Sequence, residues 1–367
     1  MASTLRGPTA SPVSSPPMKY LLLALLLLTG LPHAFAQTAP TGRVVTTYLD
    51  SRLLRGNAGG ENPRRRVSVY LPPGYEASPA KRYPVLYYLH GFSWNDSLIF
   101  HADGMARLLD AAIAAGQIRP LLVVVPNEST LYLGSFYANS ATNGPWADFT
   151  ARELVSFIDK QYRTLARPGS RGLAGHSMGG NGVLRLALLY PGTWAAAYAL
   201  SPGLVAPHAE WMADRPSQAV AARAATRAEV LKDFNAVRLL SVARAFSPMP
   251  AQKPFGAALL RYPGPDSLAR RDAVLRQWAA ATPLALLPAH LAALRQLRGL
   301  AFDWGAQDQL RHIPITCRQL STALTAFGVA HSAEEYQGDH GNRVMGPDGR
   351  MYQQLLPFFN HHLDFAP

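Results

Sequence analysis

The chain contains a single cysteine, Cys317, so no intramolecular disulfide can form. Secreted eukaryotic domains more often carry several, and an exported chain of this kind therefore reads as bacterial. Cys317 lies in a helical pattern, where a small buried residue is expected. Long apolar runs are equally scarce. The run Tyr20–Leu28 is far short of the roughly 20 residues that span a bilayer, and no second one follows, so no stable membrane insertion is expected. Acidic residues number 23 against 35 basic ones, giving a formal net charge of +12. Such an excess suits an anionic partner such as a polyanionic surface. The basic residues are scattered, however, apart from Arg64-Arg65-Arg66 where a turn enters a strand. With no aromatic-interleaved basic stripe, nucleic acid is not an expected partner. Phosphate-binding loops, metal-ligand spacings and nucleotide fingerprints are missing too, so no metal and no cofactor are expected.

What is present begins with a leader. Lys19, the apolar run after it and the small-x-small triplet Ala34-Phe35-Ala36 predict a signal peptide over residues 1–36, and hence a periplasmic or secreted protein. Hydrophobic residues make up 48% of the chain, enough for a sizeable core. Residues 43–50 and 66–71 alternate with period two and read as strands joined by the turn-rich "RGNAGGENP". The short apolar runs at 84–90, 121–126, 171–177 and 195–201 read as strands buried on both faces. Helical patterns at 104–115, 147–162 and 179–190 lie between them. Two further strands at 299–304 and 332–336, a helix at 314–327 between them and a closing helix at 349–362 complete the order. Repeated strand–helix–strand order predicts the α/β class, a mostly parallel sheet with helices on both faces. Residues 203–298, rich in Ala, Arg and Leu, break this rhythm and read as a helical insertion or cap on the domain 37–367.

The stretch "LAGHSMGG" (173–180) ends a strand and opens a helix, with Ser177 between Gly175 and Gly179. In that context G-x-S-x-G is a nucleophile elbow, a strained turn that lifts the serine Oγ above the sheet. The helix starting there presents free N–H groups to developing negative charge. A serine needs a base, and the base an orienting acid, arranged along this architecture as Ser, then Asp or Glu, then His. "LAFDWGAQDQL" offers Asp303 inside the strand and Asp308 in the loop beyond it, and Asp308 is favoured because a loop can aim it. "EEYQGDHGNR" places His340 in a polar, Gly-rich loop after the last strand, the expected position of the base. His176 adjoins the serine and is expected to pack into the turn. Two N–H donors must hold the oxyanion. The residue after the nucleophile, Met178, supplies one, and Phe92 in the loop of "YYLHGFSW" supplies the other.

The segments "YYLHGF", "SFYANSATNGPWADFTARELVSFIDKQYR", "LAGHSMGGNG" and "FDWGAQDQ…EEYQGDHGNR", in that order, resemble the esterase family of feruloyl esterases, S-formylglutathione hydrolase and the antigen 85 mycolyltransferases. The resemblance implies an α/β-hydrolase fold acting on esters or thioesters, with Ser177 as nucleophile, Asp308 as acid and His340 as base. It also places Phe136, Tyr137, Asn139 and Trp146 near the nucleophile, where they either line an acyl or leaving-group pocket or pack beneath the loop. Trp94 and Asn95 have the same standing.

These residues predict a secreted or periplasmic serine esterase acting on a small ester or acylated carbohydrate. The same machinery with an alcohol in place of water predicts an acyltransferase. A non-catalytic carbohydrate-binding protein fits this complete set of residues poorly, and the propeller domain of a prolyl oligopeptidase has no counterpart in the chain.

Overall fold

Strands β3 (Val85–Leu89) and β4 (Leu122–Pro126) are buried along their whole length, and their alternation sorts side chains between two cores. Val85, Tyr87, Leu89, Leu122 and Val124 join one apolar cluster, while Leu86, Tyr88, Val123 and Val125 join the other. A strand with apolar residues on both faces must sit in the middle of a sheet covered on both sides. The computed structural model describes residues 40–260 and 267–365. The predicted leader, 1–36, lies outside them.

The other strands are β1 (Arg43–Asp50), β2 (Arg64–Leu71), β5 (Asn139–Ser140), β6 (Gly144–Pro145), β7 (Arg171–His176), β8 (Ala196–Leu200), β9 (Gly299–Gly305) and β10 (Ser332–Tyr336). Eight form one sheet in the order β1-β2-β4-β3-β7-β8-β9-β10. The pairs β1–β2 and β2–β4 are antiparallel, and the rest of the sheet is parallel. β5 and β6 make a separate two-residue ladder. The order reverses direction around β3, and parallel sheets of this kind gather ligands at the carboxyl ends of their strands. A mostly parallel sheet with helices on both faces is the α/β architecture expected from the sequence.

Helices Asp96–His101, Met105–Ala114 and Leu356–His362 bury Phe100, Leu109 and Phe359 against one face. Helices Met178–Leu189 and His312–Ala326 bury Val183, Leu186, Ile313 and Cys317 against the other. Helix Met178–Leu189 is buried almost all round, since Pro283–Leu294 packs over its outer side. The predicted helix at 147–162 runs as three pieces, Trp146–Asp148, a π-helical Phe149–Leu154 and Val155–Gln161. Helix Asp96–His101 was not expected from the sequence, because six residues give too little periodicity to register.

Between residues 203 and 298 the described chain forms helices Glu210–Ala213, Arg215–Arg223, Arg227–Val230, Phe234–Phe246, Ser267–Ala280 and Pro283–Leu294. A buried arginine fastens this segment to the body. Arg244 pairs with Glu61 at 3.1 Å and donates to Asn143 Oδ1, the Phe255 carbonyl and the Gly59 carbonyl. Removing one partner of a pair buried this deeply costs about 3–5 kcal/mol.

Candidate active site

Ser177 has φ 58° and ψ −113°, a left-handed backbone that non-glycine residues rarely adopt and that persists only when its surroundings impose it. They do so here. The Ser177 N–H donates to the Leu200 carbonyl at 2.9 Å, and its own carbonyl accepts from Asn181 and Gly203 N–H. The turn is also crowded. A Cβ on Gly175 would lie 2.7 Å from the Leu89 carbonyl oxygen, and one on Gly179 would strike the same oxygen outright. Both glycines are therefore required by the close approach of β7, β3 and the helix that follows.

The elbow places Ser177 Oγ 2.8 Å from His340 Nε2, and His340 Nδ1 lies 2.7 Å from Asp308 Oδ2. Asp308 is buried, and its Oδ1 accepts the Leu310 N–H at 2.8 Å. The loop bearing His340 is shaped by Asp339, whose Oδ1 accepts from the Gly341 and Asn342 N–H groups. Of the two aspartates open in the sequence, the structure brings Asp308 to the histidine. Asp303, inside the strand, does not reach the histidine. Instead it is fully buried and bonds side chains, Arg350 Nε at 2.7 Å and Tyr198 OH at 2.8 Å. Burial pushes its pKa up to about 6, and a carboxylate in such a place is paired with a cation rather than with amides alone.

His176 does not simply pack into the turn. Its Nε2 lies 2.7 Å from the backbone carbonyl of His340, with the two rings 4.8 Å apart. Burial, then the neighbouring His340, lowers its pKa to about 3, so the ring is neutral and its Nε2–H donates to that carbonyl. Its place next to the serine was the only sequence signal for this contact.

A second neutral histidine shapes the loop after β3. Burial brings the pKa of His90 down to about 4. Its Nε2 accepts the Glu128 N–H at 2.9 Å, which leaves Nδ1–H to donate to the Gly91 carbonyl at 2.8 Å. The Trp94 N–H reaches the same carbonyl. In a trans peptide the carbonyl and the next N–H point opposite ways, so fixing the Gly91 oxygen also fixes the direction of the Phe92 N–H. Beneath the loop, Glu128 accepts from Ser135 Oγ and Thr150 Oγ1, and Tyr137 OH donates to the His90 carbonyl. Burial pushes the Glu128 carboxyl up to about 8.

Two spaces open at Ser177. One is an apolar cavity of about 100 Å³ whose wall includes Phe92, Phe136, Met178, Leu239, Val242 and Trp278. The other is a cleft of about 410 Å³ bordered by Ser93, Trp94, Asp103, His176 and His340. Of the residues left open between pocket and packing, Phe136 borders the cavity and Trp94 the cleft. Phe136 and Tyr137, with φ 53° and 50°, form a left-handed pair that sends one ring to the cavity and the other beneath the loop.

The remaining pocket candidates are placed elsewhere. Asn95 caps helix Asp96–His101 through the Leu98 N–H. Tyr137 is wholly buried, and Asn139 is exposed and bonded to Asp148. Trp146 is fully buried with its indole N–H on the Asn143 carbonyl and the Arg65 guanidinium over its ring. A polar or aromatic residue in a loop looks the same in sequence whether it faces ligand or braces the backbone. The insertion residues Trp211, Asp214, Arg238, Leu239, Val242 and Trp278 were not anticipated, because nothing in their pattern tells a cavity wall from a core face. Among the described residues, no cluster of three or more His, Cys, Asp or Glu side chains is suited to hold a metal, and no helix is long and apolar enough to cross a membrane.

Residues 61–346 match the family described as "Putative esterase". The chain is similar over its full fold to a ferulic acid esterase (TM-score 0.61, 20% identity, covering 89% of this chain and 100% of the other). It is also similar to an S-formylglutathione hydrolase from Agrobacterium tumefaciens (TM-score 0.57, 17% identity, 89% and 98% covered). A ferulic acid esterase from Anaeromyces mucronatus in complex with ferulic acid aligns at TM-score 0.53 and 15% identity, with 89% and 92% covered. In sequence, a segment is 30% identical over 140 residues to endo-1,4-beta-xylanase Y of Acetivibrio thermocellus, spanning 35% of this chain and only 12% of that protein. With the family match extending over most of its length, the chain belongs to this esterase family.

Proposed function

We propose that the protein is an exported serine esterase that works through an acyl-enzyme on Ser177, His340 and Asp308. The hydrogen-bonded series Ser177 Oγ, His340, Asp308 at 2.8 and 2.7 Å on a strained elbow carries this reading. His340 Nε2 takes the Ser177 proton as Oγ attacks the ester carbonyl. Asp308 keeps Nδ1–H in place and supports the imidazolium. Backbone N–H groups of Phe92 and Met178 hold the oxyanion. Met178 is the first residue of its helix, where N–H groups have no partner within the helix. His340 then returns the proton to the departing alcohol, and water, deprotonated by His340, releases the acid.

The general acid must stand on the leaving-group side, which assigns the alcohol to the cleft bordered by His340 and the acyl group to the apolar cavity. The helices of 203–298 act as the cap over that cavity. The size of the cleft also supports the second reading, acyl transfer to a hydroxyl acceptor. The leader-like residues 1–36 support export, and N-terminal sequencing of the secreted protein, with Gln37 as the expected first residue, tests it. Initial rates on p-nitrophenyl esters of increasing acyl length, for wild type and Ser177→Ala, test the esterase reading. Turnover is expected to vanish in the variant. Turnover that survives in Ser177→Ala refutes the mechanism, and an added alcohol yielding a new ester establishes transfer.

A further inference from the structure

The acyl cavity is mainly apolar; besides Asp214 and Arg238 on its wall, it holds one hydrogen-bonded pair that the proposed chemistry does not use. His312, the first residue of helix His312–Ala326, places both its backbone N–H and its Nδ1 2.8 Å from Glu210 Oε2. Glu210 comes from the insertion, and His312 from the chain just past Asp308. Both border the cavity that contains Ser177. Burial alone would raise the Glu210 carboxyl, but the His312 hydrogen bonds outweigh it and hold the group below its ordinary value. The carboxylate therefore accepts from Nδ1–H. In a neutral imidazole whose proton sits on Nδ1, the other ring nitrogen carries a lone pair. The imidazole thus presents Nε2 as an acceptor.

That acceptor is buried and has no hydrogen-bond partner among the described residues. It faces the one wall residue without a side chain. A Cβ placed on Gly203 would lie 3.9 Å from Nε2, and the Gly203 N–H is itself bonded to the Ser177 carbonyl at 3.1 Å. The space that this glycine leaves open lies beside the nucleophile. Buried polar atoms in native proteins nearly always find a partner, and in a cavity shaped for an acyl group the substrate is one candidate to supply it.

Resting on the esterase reading above, we propose that His312, held by Glu210, is a specificity residue whose Nε2 accepts a hydrogen bond from a hydroxyl on the acyl half of the substrate. The acyl group it selects therefore carries a hydroxyl donor at that position. The surrounding Phe92, Phe136, Val242 and Trp278 fit an aromatic or branched apolar body.

The test compares kcat/KM for methyl 3-phenylpropanoate and its ring-hydroxylated isomers in wild type, His312→Phe and Gly203→Ala. A site built around a hydroxyl discriminates strongly against the analogue that lacks it. One isomer is expected to be preferred by about tenfold or more in wild type, and the ratio should fall towards one in both variants. Gly203→Ala keeps the histidine and adds a methyl at ordinary contact distance, so it serves even where His312→Phe fails to fold. No preference for any isomer in wild type, or a preference that survives both substitutions, overturns the proposal. In that case hydrolysis of the unsubstituted ester that is abolished by Ser177→Ala leaves the esterase reading standing. Failure of folded wild type to hydrolyse any ester overturns both.

Discussion

His176 is the residue whose removal says most about how the base is held. Its Nε2–H reaches the His340 carbonyl at 2.7 Å, a neutral bond worth about 0.5–1.5 kcal/mol net, with up to about 3 kcal/mol at stake when the remaining group is buried and unpaired. Taking about 1–2 kcal/mol and letting it appear wholly in the transition state gives a kcat loss of about 5- to 30-fold in His176→Phe. KM should change little, because the ester binds before His340 must align with Ser177 Oγ. His176 titrates near 3, so it stays neutral across the working range. The acid limb of the kcat profile should then follow one ionisation in both wild type and variant. Stopped-flow acylation and steady-state rates on a p-nitrophenyl ester, with thermal melts run in parallel, measure this. A variant whose melting temperature falls while kcat stays within twofold of wild type would mean that the contact only braces the turn.

Three further outcomes are expected. Asp308→Asn should lower kcat on the order of 10³–10⁴-fold with KM retained, since an amide no longer dictates the His340 tautomer; a loss below tenfold, read from steady-state rates, removes Asp308 from the triad. Gly179→Ala, whose methyl meets the Leu89 carbonyl, should abolish soluble folded protein or sharply lower the melting temperature, and a wild-type melt would contradict the packing of the elbow. Glu128, raised from 4.5 to about 8 by burial, keeps in the folded state a proton that the unfolded chain has already released. Its contribution to stability is therefore complete below 4.5 and lost as pH rises towards 8. Melts of Glu128→Gln against pH should be flatter than wild type over that window, with the variant gaining most at its upper end. His90 and His176 act in the opposite sense and weaken the fold as pH falls below 6.5.

The parts of the fold legible in the sequence are those governed by short-range periodicity. Residues 43–50 and 332–336 coincide with β1 and β10, and the central strands shift by only one or two residues at their ends. The G-x-S-x-G turn could be read because its glycines answer a local collision. The preference for Asp308 over Asp303 rested on a loop's freedom to aim; in the structure Asp308 lies against His340 and Asp303 against Arg350. Contacts between residues far apart in the chain were not legible. Asn95 looked like a pocket residue because its capping partner, Leu98, belongs to a helix too short to notice. Trp146 and Tyr137 stayed open between pocket and packing because the Arg65 and His90 they meet lie far from them in sequence. The walls of the acyl cavity were invisible for the same reason, since Ala- and Leu-rich helices carry little information about what they face.

Helix Phe234–Phe246 turns Arg238, Leu239 and Val242 to the cavity, while a different face of it carries Arg244 and Ser241, the latter bonded to the Gly134 carbonyl at 2.7 Å. Two of the four groups that receive Arg244 are main-chain carbonyls, which no substitution elsewhere removes. Attachment and selection are therefore written on separate sides of one helix. Under the proposed assignment of the cavity, substitutions at positions 238, 239 and 242 would reshape its wall while the anchoring side stays constant. On the proposed reading the insertion is then an exchangeable selector, through which new acyl preferences would arise by a few substitutions without first finding a new way to fold.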